Sequence, residues 1–541
     1  MKKNNNIISS GYYHILVTFL LLAFCGRTAS AQGTLLVKDI FVGANASFPN
    51  FLINLNGTLF FTANDGVNGL ELWKSNGTAT GTVLVKDIYE GISYSEPKFL
   101  TNVNGTLFFT ANNNTNGVEL WKSDGTAAGT VLVKDINAGT FYSNPNSLTN
   151  VNGTLFFSAA NDLDNFELWK SDGTAAGTVL VKDISVGLSS SSPSFLTNVN
   201  GTLFFSAFDA TNNFELWKSD GTVAGTVLVK DIYPGINCSE PINLTNVNGT
   251  LFFAANNGIN GLELWKSDGT AAGTVLVKDI YAGVISSFPA FLTNVNGTLF
   301  FTANNGTNGK ELWKSDGTAA GTVLVKDIIA STSSSEPTNL TNVNGTLFFA
   351  ATDATNGREL WKSDGTAAGT VLVKDIRAGT SNSDPNSLTN VNGTLFCSAT
   401  DEVNGFELWK SDGTAVGTVL VKDIYAGVFG SIPSFLTNVD GTLFFTAFDA
   451  TNNFELWKSD GIIVSVEVLP FETKGKLSVY PNPVSNILNL NTERDNFQIV
   501  NLLGQTVLVG QNNSNTIDVS VLPQGSYILI IGAKQALFVK Q

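Results

Sequence analysis

Leu148-Thr-Asn-Val-Asn-Gly-Thr-Leu-Phe-Phe-Ser-Ala159, followed by Phe166-Glu-Leu-Trp-Lys-Ser-Asp-Gly-Thr-Ala-Ala-Gly-Thr-Val-Leu-Val-Lys-Asp-Ile184, is the stretch that decides the fold. Asn152-Gly153 stands between two apolar runs and signals a tight hairpin, because both central residues of a type I′ turn need positive φ. Asp172-Gly173-Thr174 supplies a second turn ahead of Val179-Leu-Val. The reading is four short antiparallel strands. Leu155-Phe-Phe and Val179-Leu-Val place apolar residues on consecutive positions, so both faces of the resulting sheet need cover. A sheet stacked between copies of itself meets that demand.

The chain supplies the copies. Tryptophans recur at Trp73, Trp121, Trp169, Trp217, Trp265, Trp313, Trp361, Trp409 and Trp457, each 48 residues after the last and each within Glu-Leu-Trp-Lys-Ser. A fixed period implies one supersecondary unit that buries its apolar faces only against its neighbours. Composition agrees: 52 Gly, 38 Phe and 14% charged residues in 541 suit many buried strands joined by Gly and Asn turns. The predicted class is all-β, an array of four-stranded units over residues 32–461 forming a β-propeller. The array opens with Leu35-Leu-Val-Lys-Asp-Ile40 alone and closes at Glu455-Leu-Trp-Lys-Ser459 without its last strand. The two fragments make one unit, so the N-terminal strand is expected to close a ring of about nine blades and to leave no sheet edge exposed. Propellers commonly have about four to eight blades, and an open solenoid is the alternative.

Residues 1–31 read as a signal peptide: Lys2 and Lys3, an apolar run from Ile15 to Phe24, and Ala29-Ser-Ala31 before Gln32, with cleavage between Ala31 and Gln32. No transmembrane span is expected in the mature protein. Cleavage removes Lys2, Lys3 and Arg27 with no acidic residue, taking the formal charge from −15 to −18. An acidic field of this kind argues against nucleic-acid partners and against docking on anionic lipid. His14, the one histidine, leaves with the leader, which excludes imidazole catalysis and histidine metal sites. Cys397 replaces a core phenylalanine and reads as a small buried hydrophobe, and Cys238 as a loop residue; no disulfide is expected between them.

After Ile462 the composition changes. A linker over 462–476 leads to Leu477-Ser-Val-Tyr480-Pro481-Asn482-Pro483-Val484, then Ile499-Val-Asn-Leu-Leu-Gly504, Ile517-Asp-Val-Ser-Val-Leu522, Gly525-Ser-Tyr527 and Phe538-Val-Lys540. Alternating strands with Gly, Pro and Asn breaks predict a small Ig-like β-sandwich over 477–541. Glu-Leu-Trp-x-x-Asp-Gly-Thr resembles the ELWxxDGT repeat of bacterial exported proteins. The tail motifs, with Tyr480, Pro481, Asn482, Pro483, Gly504, Gly525 and Tyr527 as their marks, resemble the type A C-terminal sorting domain of the type IX secretion system of Bacteroidota. The second resemblance implies the secretion machinery as partner and delivery to the medium or the outer face of the cell.

Nine identical tryptophan settings are those of a packing core rather than of a ligand ladder. Lys and Asp of Val-Lys-Asp-Ile and of Lys-Ser-Asp-Gly-Thr read as turn and cross-strand partners rather than catalysts. Asn112-x-Asn114-x-Asn116-Gly117 has the spacing of a calcium loop but carries amides where carboxylates belong, and ends on Ser123 rather than glutamate, so no metal and no cofactor is expected. What varies is the residue after Val-Lys-Asp-Ile: Tyr89, Tyr233, Tyr281, Arg377 and Tyr425 among them, a candidate binding rim. The expectation is a noncatalytic surface or extracellular protein used for adhesion or for binding a glycan or protein. The alternatives are a polysaccharide-active enzyme on a propeller and a passive structural component of the surface.

Overall fold

A computed structural model describes residues 33–461, save 162–164 and 188, and residues 477–541, save 478, 491–495, 502–505, 512–514 and 532–533. The expected leader with its cleavage point at Ala31 and Gln32, the linker 462–476, and Gly504 lie outside the described residues. The chain divides into two compact units, at Val464 and Ser465.

The first unit is all-β. After β1 (Thr34–Lys38), the strands β2 (Asn50–Leu55), β3 (Thr58–Asn64), β4 (Leu70–Ser75) and β5 (Val83–Lys86) form one antiparallel sheet in the order β2-β3-β4-β5. Seven further sheets of the same order follow. In the last, Ser434–Val439, Thr442–Asp449 and Asn453–Ser459 are joined by β1, with Leu36 opposite Trp457. Repeated four-stranded sheets of this kind fit a β-propeller.

Pairing explains the repeat motif. Phe61 lies opposite Trp73, and Ala63 opposite Glu71, so β3 and β4 turn these side chains to one face of the sheet. Phe60 and Leu72 take the other face. Between the first two sheets, Leu55, Phe60, Leu72, Val85 and Ile88 meet Leu107, Phe109, Ala111 and Trp121 of the next. The same set recurs at the last junction, where Val439, Phe444 and Leu456 meet Leu59, Phe61, Ala63 and Trp73. Each fully buried Phe or Leu contributes roughly 1.5–3 kcal/mol. The core is thus a series of equal interlayers. Each tryptophan also carries a lysine over its ring, as Lys38 does over Trp73 at 5.5 Å.

The Ser-Asp-Gly-Thr segment is a turn held by its own side chains. Asp124 Oδ1 accepts from Thr126 N at 2.8 Å and Thr126 Oγ1 at 2.7 Å, while Ser123 and Thr130 hydroxyls meet at 2.7 Å. Gly125 has φ of +88°, and a Cβ there would stand 2.9 Å from the Phe60 ring of the preceding sheet. Glycine is required twice over.

Inner strands carry an irregularity that the alternation pattern does not announce. Between Asn50 and Ile53 the register shifts, with Phe51 left-handed at φ 53°. Phe99, Phe195, Phe291 and Phe435 repeat this conformation, and their rings stay exposed. A left-handed bulky residue is strained, and here a bulge imposes it.

The second unit has a three-stranded sheet (Val479–Tyr480, Ile487–Leu490, Thr516–Asp518) and a four-stranded one (Thr506–Gln511, Asn496–Asn501, Gly525–Ile531, Lys534–Lys540). Leu477, Val484, Leu488, Ile499, Ile517, Leu529 and Phe538, drawn from both sheets and their connections, form one core.

Candidate functional site

Antiparallel pairing brings the start of β2, the end of β3, the start of β4 and the end of β5 to one end of the sheet, the loop end. At that end sits a buried carboxylate. Glu215, fully buried, accepts at Oε2 from Ile232 N at 2.9 Å and from Ser239 Oγ at 2.6 Å. Its Oε1 accepts from Ser239 N at 3.1 Å and from Tyr233 N at 3.3 Å. One side chain thereby clamps the loop that crosses to the next sheet. Burial pushes the Glu215 carboxyl up to about 7, against the opposing pull of the Ser239 hydroxyl and the backbone amides. Glu71, Glu119, Glu263, Glu311, Glu359, Glu407 and Glu455 are raised to about 7 from the same first cause, and Glu167 moves in the same direction.

The clamp also spans the two ends of the unit. Glu455 of the last sheet accepts from Ile40 N at 3.0 Å, Ser47 N at 3.1 Å and Ser47 Oγ at 2.6 Å, residues more than four hundred positions earlier. At the opposite, turn end of the same sheet Thr34 Oγ1 meets Ser459 Oγ at 2.9 Å, and Lys422 Nζ donates to Thr34 O at 3.1 Å. A carboxyl that titrates near neutrality suits general acid–base work. These carboxyls are instead filled with donors and closed off from solvent.

The rim residues sit at the loop end, but their backbone is part of the clamp. Tyr89, Tyr233, Tyr281, Arg377 and Tyr425 each donate their amide to the glutamate of their own unit, Tyr425 to Glu407 at 3.1 Å. Their side chains are half-buried. Tyr233 and Tyr281 lie against Gly258 and Gly306 in the following sheet, where a Cβ would come within 2.4 and 2.6 Å of the ring. Tyr425 meets Phe448 edge-on at 4.8 Å, and Arg377 Nη1 donates to Asn382 O at 3.4 Å. The tryptophans are buried between the sheets. Cys238 and Cys397 are free; Cys397 lies opposite Trp409, with its thiol pushed by burial up to about 12.

Asn112, Asn113 and Asn116 hold a turn: Asn114 N donates to Asn112 Oδ1 at 2.8 Å, Asn116 N to Asn113 Oδ1 at 2.9 Å, and Asn116 Nδ2 to Asp135 Oδ2 at 2.8 Å. Among the described residues no group of three or more His, Cys, Asp or Glu converges as a metal site would require. No helix among them is long and apolar enough to cross a membrane.

In the second unit Asn482 bridges to the final strand, donating from Nδ2 to Leu537 O at 3.1 Å and accepting from Val539 N at 2.8 Å. Pro481 and Pro483 flank it, and Tyr480 is exposed. Tyr527, two residues after Gly525, is buried, donates to Pro523 O at 2.9 Å and stacks on Phe538 at 5.8 Å.

Residues 478–541 match the family described as "Secretion system C-terminal sorting domain". The chain therefore carries a type IX sorting domain, which ties it to that secretion machinery and to delivery at the cell surface or into the medium. No curated protein matches the chain in sequence. Solved structures with a similar arrangement include puromycin hydrolase, at 13% identity and TM-score 0.33 over 67% of this chain and 60% of that one. A study of two prolyl endopeptidases gives 12% and 0.39 over 75% and 54%. The β-propeller domain of the Trilobed protease of Pyrococcus furiosus gives 11% and 0.33 over 59% and 96%. The chain spans about 60% of the length of the hydrolase it matches. These likenesses bear on the fold and assign no activity. The expectation of an adhesive or ligand-binding protein is corrected to what the findings support: the sorting domain shows secretion, the structures matched are described as peptidases and a protease's propeller domain, and adhesion is not shown.

Proposed function

We propose that the chain is a structural component of the cell exterior. It is a nine-bladed propeller of the ELWxxDGT type, closed by its N-terminal strand, and an Ig-like type IX sorting domain exports it from a Bacteroidota cell. The ring serves as a passive scaffold. One observation carries the reading: the buried carboxyls, whose pKa burial raises, are consumed by the fold, each saturated by serine and backbone donors of its own crossover loop, in all nine copies. A catalytic pair needs two carboxyls in different environments facing one substrate. Ninefold equivalence supplies one environment repeated.

The test has two arms. Cells lacking the chain are expected to show an altered surface layer by cryo-electron tomography, restored by the intact gene. The purified protein is expected to leave polysaccharide and peptide panels uncleaved. An unchanged surface, or turnover abolished by changing a single carboxylate, would sink the scaffold reading.

A further inference from the structure

The second unit closes one edge of its four-stranded sheet and leaves the other open. Thr506–Gln511 and Lys534–Lys540 are the outer strands of that sheet. Along Lys534–Lys540 the edge is covered: Val484 N donates to Val539 O at 2.8 Å, Gln541 N donates to Val484 O at 2.9 Å, and Asn482 holds Leu537 O and Val539 N. Along Thr506–Gln511, nothing among the described residues pairs with the outer side. Native proteins blunt such edges with charge, proline or cover. Thr506-Val-Leu-Val-Gly-Gln511 carries no charge and no proline, and Val509 is 65% exposed. The sheet face beside this edge is open as well. Directly opposed residues share a face, and so do residues two apart on one strand. Val509 stands opposite Gln498, Gln498 opposite Ile530, and Ile528 opposite Leu537, with Val539 two residues further on. Ile499, Leu529 and Phe538, on the alternate positions, point into the core. Val509, Ile530, Ile528, Leu537 and Val539 therefore form one apolar band on the outer face, interrupted by Gln498, with Leu537 59% exposed. Where the band meets the open edge, Phe497, Gln498, Val509, Gly510, Gln511 and Ile530 line a cleft of about 560 Å³.

We infer that this edge and face receive one extended segment of the type IX secretion machinery, added as a fifth strand along Thr506–Gln511, with its alternate apolar side chains laid toward Val509 and Ile530. Three observations select that occupant. The family match over residues 478–541 ties this unit to that machinery. An open strand edge presents main-chain donors and acceptors in a row, which an extended polypeptide satisfies by strand addition and a lipid surface does not. The third is position: because Asn482 and Val484 occupy the opposite edge, strand addition has a single place on this sheet. Main-chain pairing then supplies affinity, and the apolar band beside the edge supplies the choice of side chains. The inference rests on the sorting assignment and is independent of what the first unit does outside the cell.

The test is made on the full chain in a type IX secreting bacterium. Val509→Lys combined with Leu537→Lys should cut surface delivery by roughly tenfold or more and leave the chain in the periplasm. Both side chains stand largely in solvent, so the purified variant should keep the parent's melting transition for the second unit. Val521→Lys, at a site 71% exposed on the connection after the three-stranded sheet, should be delivered as the parent is. Contact is read directly with Val509→p-benzoylphenylalanine: irradiated cells should yield the chain joined to a component of the secretion machinery, identified by mass spectrometry, and Val521→p-benzoylphenylalanine should not. That crosslink decides the matter should the lysine variant fold poorly. Normal delivery of a folded lysine variant would overturn the inference. So would a crosslink from the Val509 site to a second copy of the chain, to lipid, or to nothing. Retention of a chain lacking residues 477–541, alongside normal delivery of the lysine variant, would remove this surface and leave the sorting role standing.

Discussion

Glu263 illustrates how much of the fold rests on one side chain. It accepts from Ile280 N at 2.9 Å, Ser287 N at 2.9 Å and Ser287 Oγ at 2.6 Å, all out of solvent. Glu263→Ala leaves those donors without an acceptor, and each unsatisfied buried group costs about 1–3 kcal/mol. A loss of roughly 3 kcal/mol is expected in urea unfolding, with the midpoint shifted toward lower denaturant. Glu263→Gln keeps a carbonyl for the amides and an NH2 for the serine oxygen, so its loss should be the smaller. Equal losses would mean that the carboxylate fills space rather than clamps. The clamp was only half legible in the sequence. Glutamate is constant in Glu-Leu-Trp, but its partner serine lies 24 residues downstream in a stretch whose neighbours vary, and nothing local marks it as buried. The signal was a constant Ser two residues before a constant Pro, as in Ser287-Phe-Pro289 and Ser239-Glu-Pro241. The rim tyrosines show a role that their variety does not announce: their amides complete the clamp, and Tyr233, Tyr281 and Tyr425 lay their half-buried rings on the next sheet.

Among the elements β1 has the largest consequence. It is the fourth strand of the last sheet, and without it Trp457 loses Leu36, Glu455 loses Ile40 N, and Ser459 loses Thr34. Deleting residues 33–40 should therefore lower the melting temperature by about 10 °C or more and expose apolar surface, read as dye binding, because an open edge strand and an uncovered interlayer arise together. A deletion variant that melts with its parent would show that the last sheet is complete with three strands. The four-strand unit was legible because its turns are chemical: Asn-Gly selects a type I′ hairpin, and consecutive apolar residues demand cover on both faces. The inner-strand bulge was not. Phe51-Leu-Ile and Phe99-Leu-Thr read as ordinary β sequence, and the φ of 53° and 56° at Phe51 and Phe99 comes with a register shift that nothing in that sequence marks.

Across the whole molecule the clamps act in concert, and their sign sets the pH response. A glutamate near 4.5 when unfolded and about 7 when folded binds its proton more tightly in the folded state. Its contribution is full below about 4.5 and lost as pH rises through about 7. The exposed Asp124, Asp172 and their equivalents are held low by their Thr hydroxyls and amides, so what they contribute is constant above 3.8 and lost only as pH falls below it, outside that window. The first unit should consequently melt at lower temperature at pH 8 than at pH 5; a flat profile between them would show the clamps to be ionised throughout at no cost.

Sorting is separable from the first unit because the tail owns its core: Leu488, Ile499, Ile517, Leu529 and Phe538 bury one another within the second unit. Removing residues 477–541 leaves every sheet of the first unit and its clamps intact, so the truncated chain should keep the first unit's melting transition. It should nonetheless lose its route out of the cell, because the sorting family match covers 478–541 and nothing earlier. Fractionation of a type IX secreting bacterium should find the truncated chain in the periplasm and the intact chain at the surface or in the medium. Placed behind a leader on an unrelated folded reporter, the same 65 residues should carry that reporter outward. Within the tail, Tyr527→Ala removes the ring stacked on Phe538 and the bond to Pro523 O, and should abolish transfer by unfolding the unit. Surface delivery of the tail-less chain, or a tailed and stable reporter held in the periplasm, would refute the assignment of export to this unit.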